Sequence, residues 1–283
     1  MNVNPLFSVL IANYNNGKYL LEAINSVYSQ TYTNWEIILV DDASTDNSRE
    51  IYNELEKDVR IHIFYNDENM GCGYTKRRCA ELANGELCGF LDSDDMLLSN
   101  ALELHVETHQ QHDNVSCVFS RFHYCDENMI VKEDVRLLEI KDGMSYFTNK
   151  DYMPEHFTSF KKIIYNKTEG ISSDLKLGID QDLYFKLEEI APVFFLNEFT
   201  YLYRTHKKNI SHNDTALYWN LIVRHRTCMR RKLDPSDYPV RDFNNYGIFK
   251  YKQGEMCNSM SYSYRLGFFI LQPLRLLKKI FKH

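Results

Sequence analysis

The stretch Cys88-Gly89-Phe90-Leu91-Asp92-Ser93-Asp94-Asp95 joins a short apolar run to three carboxylates within four residues. An apolar run without alternating polar positions is typical of a strand that is buried on both faces of a sheet. In an open parallel sheet, ligands bind beyond the carboxyl ends of the strands, which is where this acidic cluster falls. The stretch therefore predicts an α/β sheet with a binding site at the end of this strand.

The residues before this stretch alternate between strand and helix patterns. Apolar runs predict strands over residues 7–12, 35–40, 59–65 and 87–91, and helical spacing predicts helices over 18–30, 44–57 and 71–84. This β-α-β-α order predicts a Rossmann-like, mostly parallel sheet with helices on both faces. Asn13, Tyr14 and Asp42 follow the first two strands, so we expect them at the same edge of the sheet as the acidic cluster.

The remainder of the chain is more mixed. Helices are predicted over residues 101–111, 182–190, 216–232 and 262–283, and extended segments over 115–123 and 193–196, whereas 124–175 show no clear pattern. We interpret residues 1–215 as a catalytic domain, with a donor-binding half over about 1–100 and an acceptor half over about 101–215. Residues 216–283 then form a basic helical C-terminal extension.

Charge and cysteine content narrow the classes of protein. The net charge is −6, but residues 216–283 hold 13 Lys and Arg against 4 Asp and Glu, so they carry +9 and residues 1–215 carry −15. An acidic body of this kind argues against nucleic acid as a partner. The seven cysteines form no C-x-x-C pair, which argues against disulfides and structural zinc and favours a cytoplasmic location. We expect no secretory leader and no membrane span, because no apolar run is long enough.

The acidic cluster has two interpretations. Three neighbouring carboxylates repel one another unless a cation is close. Oxygen ligands suit Mg²⁺ or Mn²⁺, which protein carboxylates usually share with substrate phosphates and water. The alternative is a solvated acidic turn that begins the next helix.

Several motifs together resemble those of the inverting family 2 glycosyltransferases, which have the glycosyltransferase-A fold. In chain order, the matching segments are 8–15 (SVLIANYN), 36–46 (EIILVDDASTD), 69–86 (from NMG to ANGE), 91–95 (LDSDD) and 178–183 (GIDQDL). The segment 203–206 (YRTH) resembles a further family motif, Y-R-x-H. One Asp-x-Asp motif is a weak signal, but five motifs in order and at family spacing are a strong one, and they cover residues 7–208.

The resemblance implies a set of donor-binding residues. They are Asn13, Tyr14, Asp42, Lys76, Asp92 and Ser93. By family position, Tyr14 stacks on the nucleotide base, Asp42 hydrogen-bonds it, and Asp92 lies near the ribose and a metal-bound water. Lys76 stands where the family usually has arginine, so it keeps the charge but lacks the planar guanidinium. The alternative for Tyr14 is simple packing.

The resemblance also implies the metal ligands and the base. Asp94 matches the direct ligand of Mn²⁺ or Mg²⁺, with Asp95 as a supporting carboxylate, and His206 is expected near the metal or the diphosphate. Asp180 matches the general base, and Asp182 is a supporting or reserve carboxylate. The alternatives are a structural histidine at 206 and acids that merely begin a helix at 180 and 182. Ile179 replaces the usual glutamate of the motif.

The predicted reaction is metal-dependent transfer of one sugar, with inversion, from a nucleotide-diphosphate sugar to a hydroxyl of a glycan or lipid-linked acceptor. A UDP-sugar is the favoured donor, and the Q-x-x-R-W motif of processive synthases is absent. Two other functions remain open. A sugar nucleotidyltransferase would need a glycine-rich basic loop after the first strand, which residues 13–17 do not supply. The best support for a non-catalytic carbohydrate- or membrane-binding relative is Ile179, and the intact aspartates are the main argument against it.

The end of the chain is predicted to form an amphipathic helix. Residues 273–282 place Leu274, Leu277 and Phe281 on one face and four Lys and Arg elsewhere, which is typical of an interfacial membrane anchor. We therefore expect an anionic membrane surface as a partner and peripheral attachment to the inner face of the plasma membrane. The alternative is a terminal helix packed on the protein's own core.

Overall fold

A computed structural model describes residues 3–137, 145–148, 154–207, 209 and 216–234. The strands in these residues are β1 (Phe7–Asn13), β2 (Trp35–Asp41), β3 (Ile61–Tyr65), β4 (Leu87–Phe90), β5 (Met96–Leu97), β6 (Cys117–Cys125), β7 (Val131–Asp134), β8 (Thr158–Lys161) and β9 (Val193–Arg204). The helices are α1 (Gly17–Tyr28), α2 (Ser48–Leu55), α3 (Cys72–Leu82), α4 (Ala101–Gln111), α5 (Lys162–Tyr165), α6 (Ile179–Glu188) and α7 (Ala216–Arg230).

The described strands form one mixed sheet in the order β3-β2-β1-β4-β8-β6-β9-β5, and β7 pairs with β6. The first four strands of this order are parallel, and Asn13 lies opposite Asp41 in the register of β1 and β2. Strand β8 pairs antiparallel with β4 and β6, while β6 and β9 are parallel. The parallel half therefore brings the carboxyl ends of β1, β2 and β4 to one edge, as predicted.

The burial of the parallel strands explains why the first half of the fold could be predicted from the sequence. Every residue of β2 is buried, as is nearly every residue of β1, so both faces of these strands are covered. Helix α1 adds Leu20, Ile24 and Val27 to the same core. Strands covered on both faces carry continuous apolar runs, which is the pattern that predicted them. The predicted α/β class and glycosyltransferase-A architecture are confirmed.

The second half differs from the prediction in its details. Helix α6 begins at Ile179, three residues earlier than predicted, so Asp180 and Asp182 lie in its first turn. Strand β9 continues to Arg204, whereas the sequence predicted an extended segment only to residue 196. The prediction stopped too early because Asn197 and Glu198 interrupt the apolar pattern, although they do not end the strand. Strands β5, β7 and β8 and helix α5 were not predicted.

The C-terminal extension is described only in part. Residues 216–230 are helical, as predicted, whereas the helix predicted over 262–283 lies outside the described residues. Helix α7 and the residue that follows it form ion pairs with residues 174 and 188: Arg226 binds Asp174 at 2.6 Å and Arg231 binds Glu188 at 2.8 Å. The division of the chain at residue 215 stays a prediction. Within the described residues, no helix has both the length and the apolar character needed to cross a membrane.

Candidate active site

Buried polar groups shape the loop that follows β1. The Asn13 side chain is fully buried, and its Nδ2 donates to Tyr52 OH at 2.8 Å and to Ser48 Oγ at 3.0 Å. Asp41 accepts a bond from the same tyrosine hydroxyl at 2.6 Å. Asn13 therefore anchors the loop that carries Tyr14, whose side chain is 49% exposed at the sheet edge.

The loops after β1 and β2 are tied together in unusual backbone conformations. Asn15 has a φ of 51° and Ala43 a φ of 60°. The Asn15 Oδ1 accepts bonds from the backbone N–H groups of Thr45 at 2.7 Å and Asp46 at 3.2 Å. Positive φ disfavours residues with a Cβ, so a glycine fits position 43 better than alanine. Ala43 is therefore a site of backbone strain between these two loops.

Asp42, directly after β2, binds the segment between β3 and α3 through its carboxylate. Its carboxylate accepts bonds from Asn66 Nδ2 at 2.7 Å and from the backbone N–H groups of Met70 and Gly71, both at 2.8 Å. A carboxylate offers about four acceptor positions. Within the described part of the chain, three of these are filled, so Asp42 keeps about one position for a ligand.

The acidic loop after β4 is held by the end of β9. Asp95 is buried and accepts bonds from Tyr201 OH and from the Arg204 N–H, each at 2.7 Å. Burial, and then the charges of Asp94 and Asp92, raises the pKa of Asp95 well above its ordinary value. The Arg204 side chain donates to the Asp94 carbonyl at 2.6 Å. These bonds fix Asp95 within the loop, and its predicted role as a supporting carboxylate at a metal stays a prediction.

Asp94 and His206 form the pair that could hold a metal. The Asp94 Oδ2 lies 2.8 Å from the His206 Nε2, and these side chains are 19% and 5% exposed. This contact is a direct hydrogen bond between the two side chains. Neighbouring ligands of an octahedral ion with bonds of about 2.1 Å also lie about 3 Å apart, so the same two atoms could bind one divalent ion after a small separation. A cluster of three or more potential His, Cys, Asp or Glu ligands does not occur among the described residues. The remaining ligand positions would therefore fall to phosphate oxygens and water.

Ser93 lies between these acids but faces the first loop. Its Oγ accepts a bond from Asn16 Nδ2 at 3.0 Å, and the side chain is buried. This bond ties the acidic loop to the residue before α1. Ser93 therefore connects the two loops between which the predicted donor would lie.

Lys76 joins the acidic loop after β4 to the first turn of α6. Its Nζ lies 3.0 Å from Asp92 Oδ1 and 3.0 Å from Asp180 Oδ1. Burial alone would lower the pKa of Lys76, but the two carboxylates hold it well above its ordinary value. Burial similarly works to raise the pKa of Asp92, yet Lys76 and then His156 keep it below the ordinary value. The predicted base is thus one partner of a bridged ion pair.

Asp182 has a different environment from Asp180. It is fully buried, pairs with Lys186 Nζ at 2.7 Å, and accepts a bond from the Ser172 N–H at 3.1 Å. The Asp180 side chain is 33% exposed. Of the two carboxylates, Asp182 is enclosed by the protein and Asp180 is the one that solvent reaches. Ile179 is buried, so the residue at the usual glutamate position points into the core.

Two residues at this site, Tyr201 and His156, were not predicted from the sequence. Tyr201 supports the acidic loop, and its only sequence signal was its place on a strand whose length was underestimated. His156 lies in the segment without a readable pattern, and its ring stacks on Tyr201 and Tyr203 at centroid distances of 5.2 and 5.5 Å.

The fold and these loops define a glycosyltransferase with an Asp-x-Asp motif at the end of a parallel strand. The sequence profile described as Glycosyl transferase family 2 matches residues 8–168. This match covers more than half of the chain, and the chain belongs to that family. The predicted family and enzyme class are confirmed.

Relatives by sequence are bacterial glycosyltransferases. The chain is 28% identical to the chondroitin synthase of Escherichia coli over 211 residues, which is 73% of this chain but only 30% of that protein. It is 27% identical over 234 residues to the glycosyltransferase GlyG of Streptococcus pneumoniae serotype 4, covering 77% of this chain and 76% of GlyG.

Solved structures share the fold. S. aureus TarS 1-349 in complex with UDP-GlcNAc superposes with a TM-score of 0.68 and 17% identity, covering 89% of this chain and 79% of that chain. The mannosyltransferase PcManGT from Pyrobaculum calidifontis, in complex with GDP-Man and Mn²⁺, has a TM-score of 0.58 and 17% identity, covering 84% and 68%. At these identities the likeness shows the fold alone.

Proposed function

We propose that this enzyme transfers a single sugar, with inversion, from a nucleotide-diphosphate sugar to a hydroxyl of a glycan or lipid-linked acceptor. The observation that carries the proposal is the bridge from Asp92 through Lys76 to Asp180. It puts a carboxylate that can accept a proton next to the acidic loop that would face the donor diphosphate. Family membership and the bacterial relatives support the same reaction class.

A UDP-sugar is the favoured donor. Tyr14 is exposed at the sheet edge, where it could stack on a base, and Asp42 keeps about one acceptor position. The pairing edge of uracil presents one N–H, whereas that of guanine presents two donor groups side by side. The neighbour that holds UDP-GlcNAc supports this choice. A thermal-shift comparison of UDP, GDP, CMP and dTDP tests it, because ligand binding to the native state raises its stability.

A divalent cation, Mn²⁺ or Mg²⁺, would be held by Asp94 and His206. When bound, such an ion spreads the negative charge that develops on the leaving diphosphate. The 2.8 Å spacing of the two ligand atoms and the Mn²⁺ bound in a structural neighbour support this assignment. Asp95 and Arg204 would keep the loop in place without contacting the donor.

Asp180 would act as the general base. An attacking hydroxyl must lose its proton as it approaches the anomeric carbon, and a carboxylate within hydrogen-bond reach contributes about 10²- to 10⁴-fold to the rate. Asp180 is partly exposed, and Lys76 links it to Asp92, whereas Asp94 of the same acidic loop contacts His206. A base on one side and a leaving diphosphate on the other favour a single displacement, which inverts the anomeric centre.

The acceptor would meet the enzyme near a membrane. Of the 13 basic residues after residue 215, three pair with acids of the predicted acceptor half and a fourth, Arg224, is buried. The three paired residues are Arg226, Arg230 and Arg231. Residues 266–283, which lie outside the described residues, keep four Lys and Arg and no acid. This distribution supports a docking role for the end of the chain on an anionic membrane.

The test is sugar transfer by the purified protein. We expect release of UDP from a UDP-sugar in the presence of Mn²⁺ and acceptor, and loss of this activity with excess chelator. Asp180→Asn keeps the shape of the side chain but cannot accept the proton, so transfer should fall by about 10²-fold or more while UDP binding persists. Asp113→Asn, at an exposed site, is the matched control and should match the wild type. Transfer by the Asp180→Asn variant at the wild-type rate would refute the assignment of the base.

A further inference from the structure

The Lys76 ammonium group is already paired with and enclosed by protein groups, without a nucleotide. Its ammonium group has three N–H donors. One is directed to Asp92, one to Asp180, and the Phe90 ring centroid lies 5.1 Å from the same nitrogen. The side chain is only 6% exposed. A cation enclosed in this way has little capacity left for a ligand, although its family position implied a contact near the nucleotide.

The contact between Lys76 and Asp180 is produced by the packing of two distant segments. The first turn of α3 lies so close to the loop before α6 that a Cβ on Gly73 would come within 2.8 Å of the Ser172 carbonyl oxygen and nearer still to that of Leu175. Arg77, beside Lys76, donates to the Ile171 carbonyl at 3.1 Å. Helix α3 therefore holds the loop that leads to the base.

The other side of this loop is fixed by α6 itself. Lys186 donates to the Gly170 carbonyl at 2.7 Å and to Ser172 Oγ at 2.9 Å, and it pairs with the buried Asp182. The loop between residues 170 and 178 is thus restrained from two helices. Asp180, in the first turn of α6, has a set position relative to α3 before any substrate arrives.

We propose that Lys76 is a positioning residue for the reaction: it holds the Asp180 carboxylate against Asp92 rather than binding the nucleotide. The inference rests on the proposed function, because it assumes that Asp180 is the base. Loss of Lys76 should therefore lower kcat far more than it weakens donor binding. A nucleotide ligand would show the opposite split between kcat and binding.

The experiment compares Lys76→Met with Lys76→Arg. For Lys76→Met we expect kcat for transfer to fall by about 10²-fold, the lower end of what a positioned base contributes, with the Kd for UDP in Mn²⁺ changed by less than about threefold. Lys76→Arg keeps the charge and should recover about tenfold of the loss. Lys57→Met, which removes an exposed lysine, is the matched control and should keep wild-type values.

A second variant covers the case in which Lys76→Met does not fold. Gly73→Ala keeps Lys76 but forces α3 away from the loop before α6, so it should lower kcat by about tenfold or more at unchanged UDP affinity. The proposal is overturned if UDP affinity falls in proportion to kcat/KM in either variant, or if Lys76→Arg is as impaired as Lys76→Met. If the wild type transfers sugar from no nucleotide sugar, the proposed function fails instead.

Discussion

The buried histidines His105 and His109 predict a pH dependence of stability that one substitution can test. The rings of His105 and His109 hydrogen-bond the Ser159 hydroxyl at 2.7 and 2.9 Å, in a region where both side chains are fully buried. Burial lowers the pKa of His105 to about 3. Burial, and then the neighbouring His105 and Lys161, lowers the pKa of His109 well below its ordinary value.

The direction in which pH changes the stability follows from the difference in histidine pKa between the folded and unfolded chains. The unfolded chain binds a proton at each histidine near pH 6.5, whereas the native state resists protonation until the pH is far lower. The contribution to stability is therefore complete above pH 6.5 and is lost as the pH falls toward 3. At pH 5 the loss is about 2 kcal/mol for His105, since each pH unit below 6.5 costs about 1.4 kcal/mol while its folded-state pKa is about 3. His109 contributes a loss of the same sign.

The assay is urea unfolding of the wild type and His105→Gln at pH 7 and pH 5. The glutamine amide can still bond Ser159 or Ser120 but does not titrate, so the variant should lose about 2 kcal/mol less than the wild type between the two pH values. In a thermal scan this difference is about 4–8 °C in Tm for a domain of this size. His112→Gln, at the end of α4, is the control and should keep the wild-type difference. Equal losses in wild type and His105→Gln would refute the reasoning.

Three further predictions concern the metal, the backbone and the chain end. Asp94→Ala should abolish the Mn²⁺-dependent part of UDP affinity, and unchanged calorimetric affinity in Mn²⁺ would remove Asp94 from the metal site. Ala43→Gly should raise the free energy of unfolding by up to about 1 kcal/mol, because it removes the strain of a Cβ at positive φ; denaturant unfolding that shows a decrease would contradict this. Deleting residues 266–283 should remove binding to anionic vesicles in co-sedimentation, at about 1 kcal/mol for each basic residue, while UDP-sugar hydrolysis persists; equal binding by the full-length and truncated proteins would exclude the anchor.

Strand β8 shows why the second half of the fold was harder to predict than the first. Thr158, Ser159 and Lys161 are polar, yet every residue of β8 is buried. Ser159 bonds the two buried histidines, and Lys161 Nζ donates to the backbone carbonyl groups of His112 and Asp113. Such residues are buried because distant groups satisfy their hydrogen bonds, and a hydropathy pattern carries no information about those partners.

Some residues of the candidate site could be identified from the sequence, whereas the contacts between them could not. Asp94, Asp180 and Asp42 could be identified by motif, since the residue types and the order of the motifs are in the sequence. The contact between Lys76 and Asp180 joins residues 104 positions apart, and it depends on the close approach at Gly73. Nothing in the local sequence of α3 distinguishes a lysine that binds a nucleotide from one that holds a carboxylate.

The charges around the acidic loop give a reason to expect metal dependence that does not rely on family resemblance. In the described residues, Lys76 pairs with Asp92 and Asp180, and Arg204 pairs with Glu22. Asp94 adds another negative charge, which His206 offsets only when it is protonated. These pairs leave a net negative site before any donor arrives.

A nucleoside diphosphate brings about two more negative charges, and burying them beside Asp92 and Asp94 without a cation would be strongly unfavourable. A divalent ion at Asp94 and His206 would resolve this conflict, so we predict that nucleotide affinity is far lower in chelator than in Mn²⁺. Equal affinities would show that the negative charge is compensated by protein groups instead.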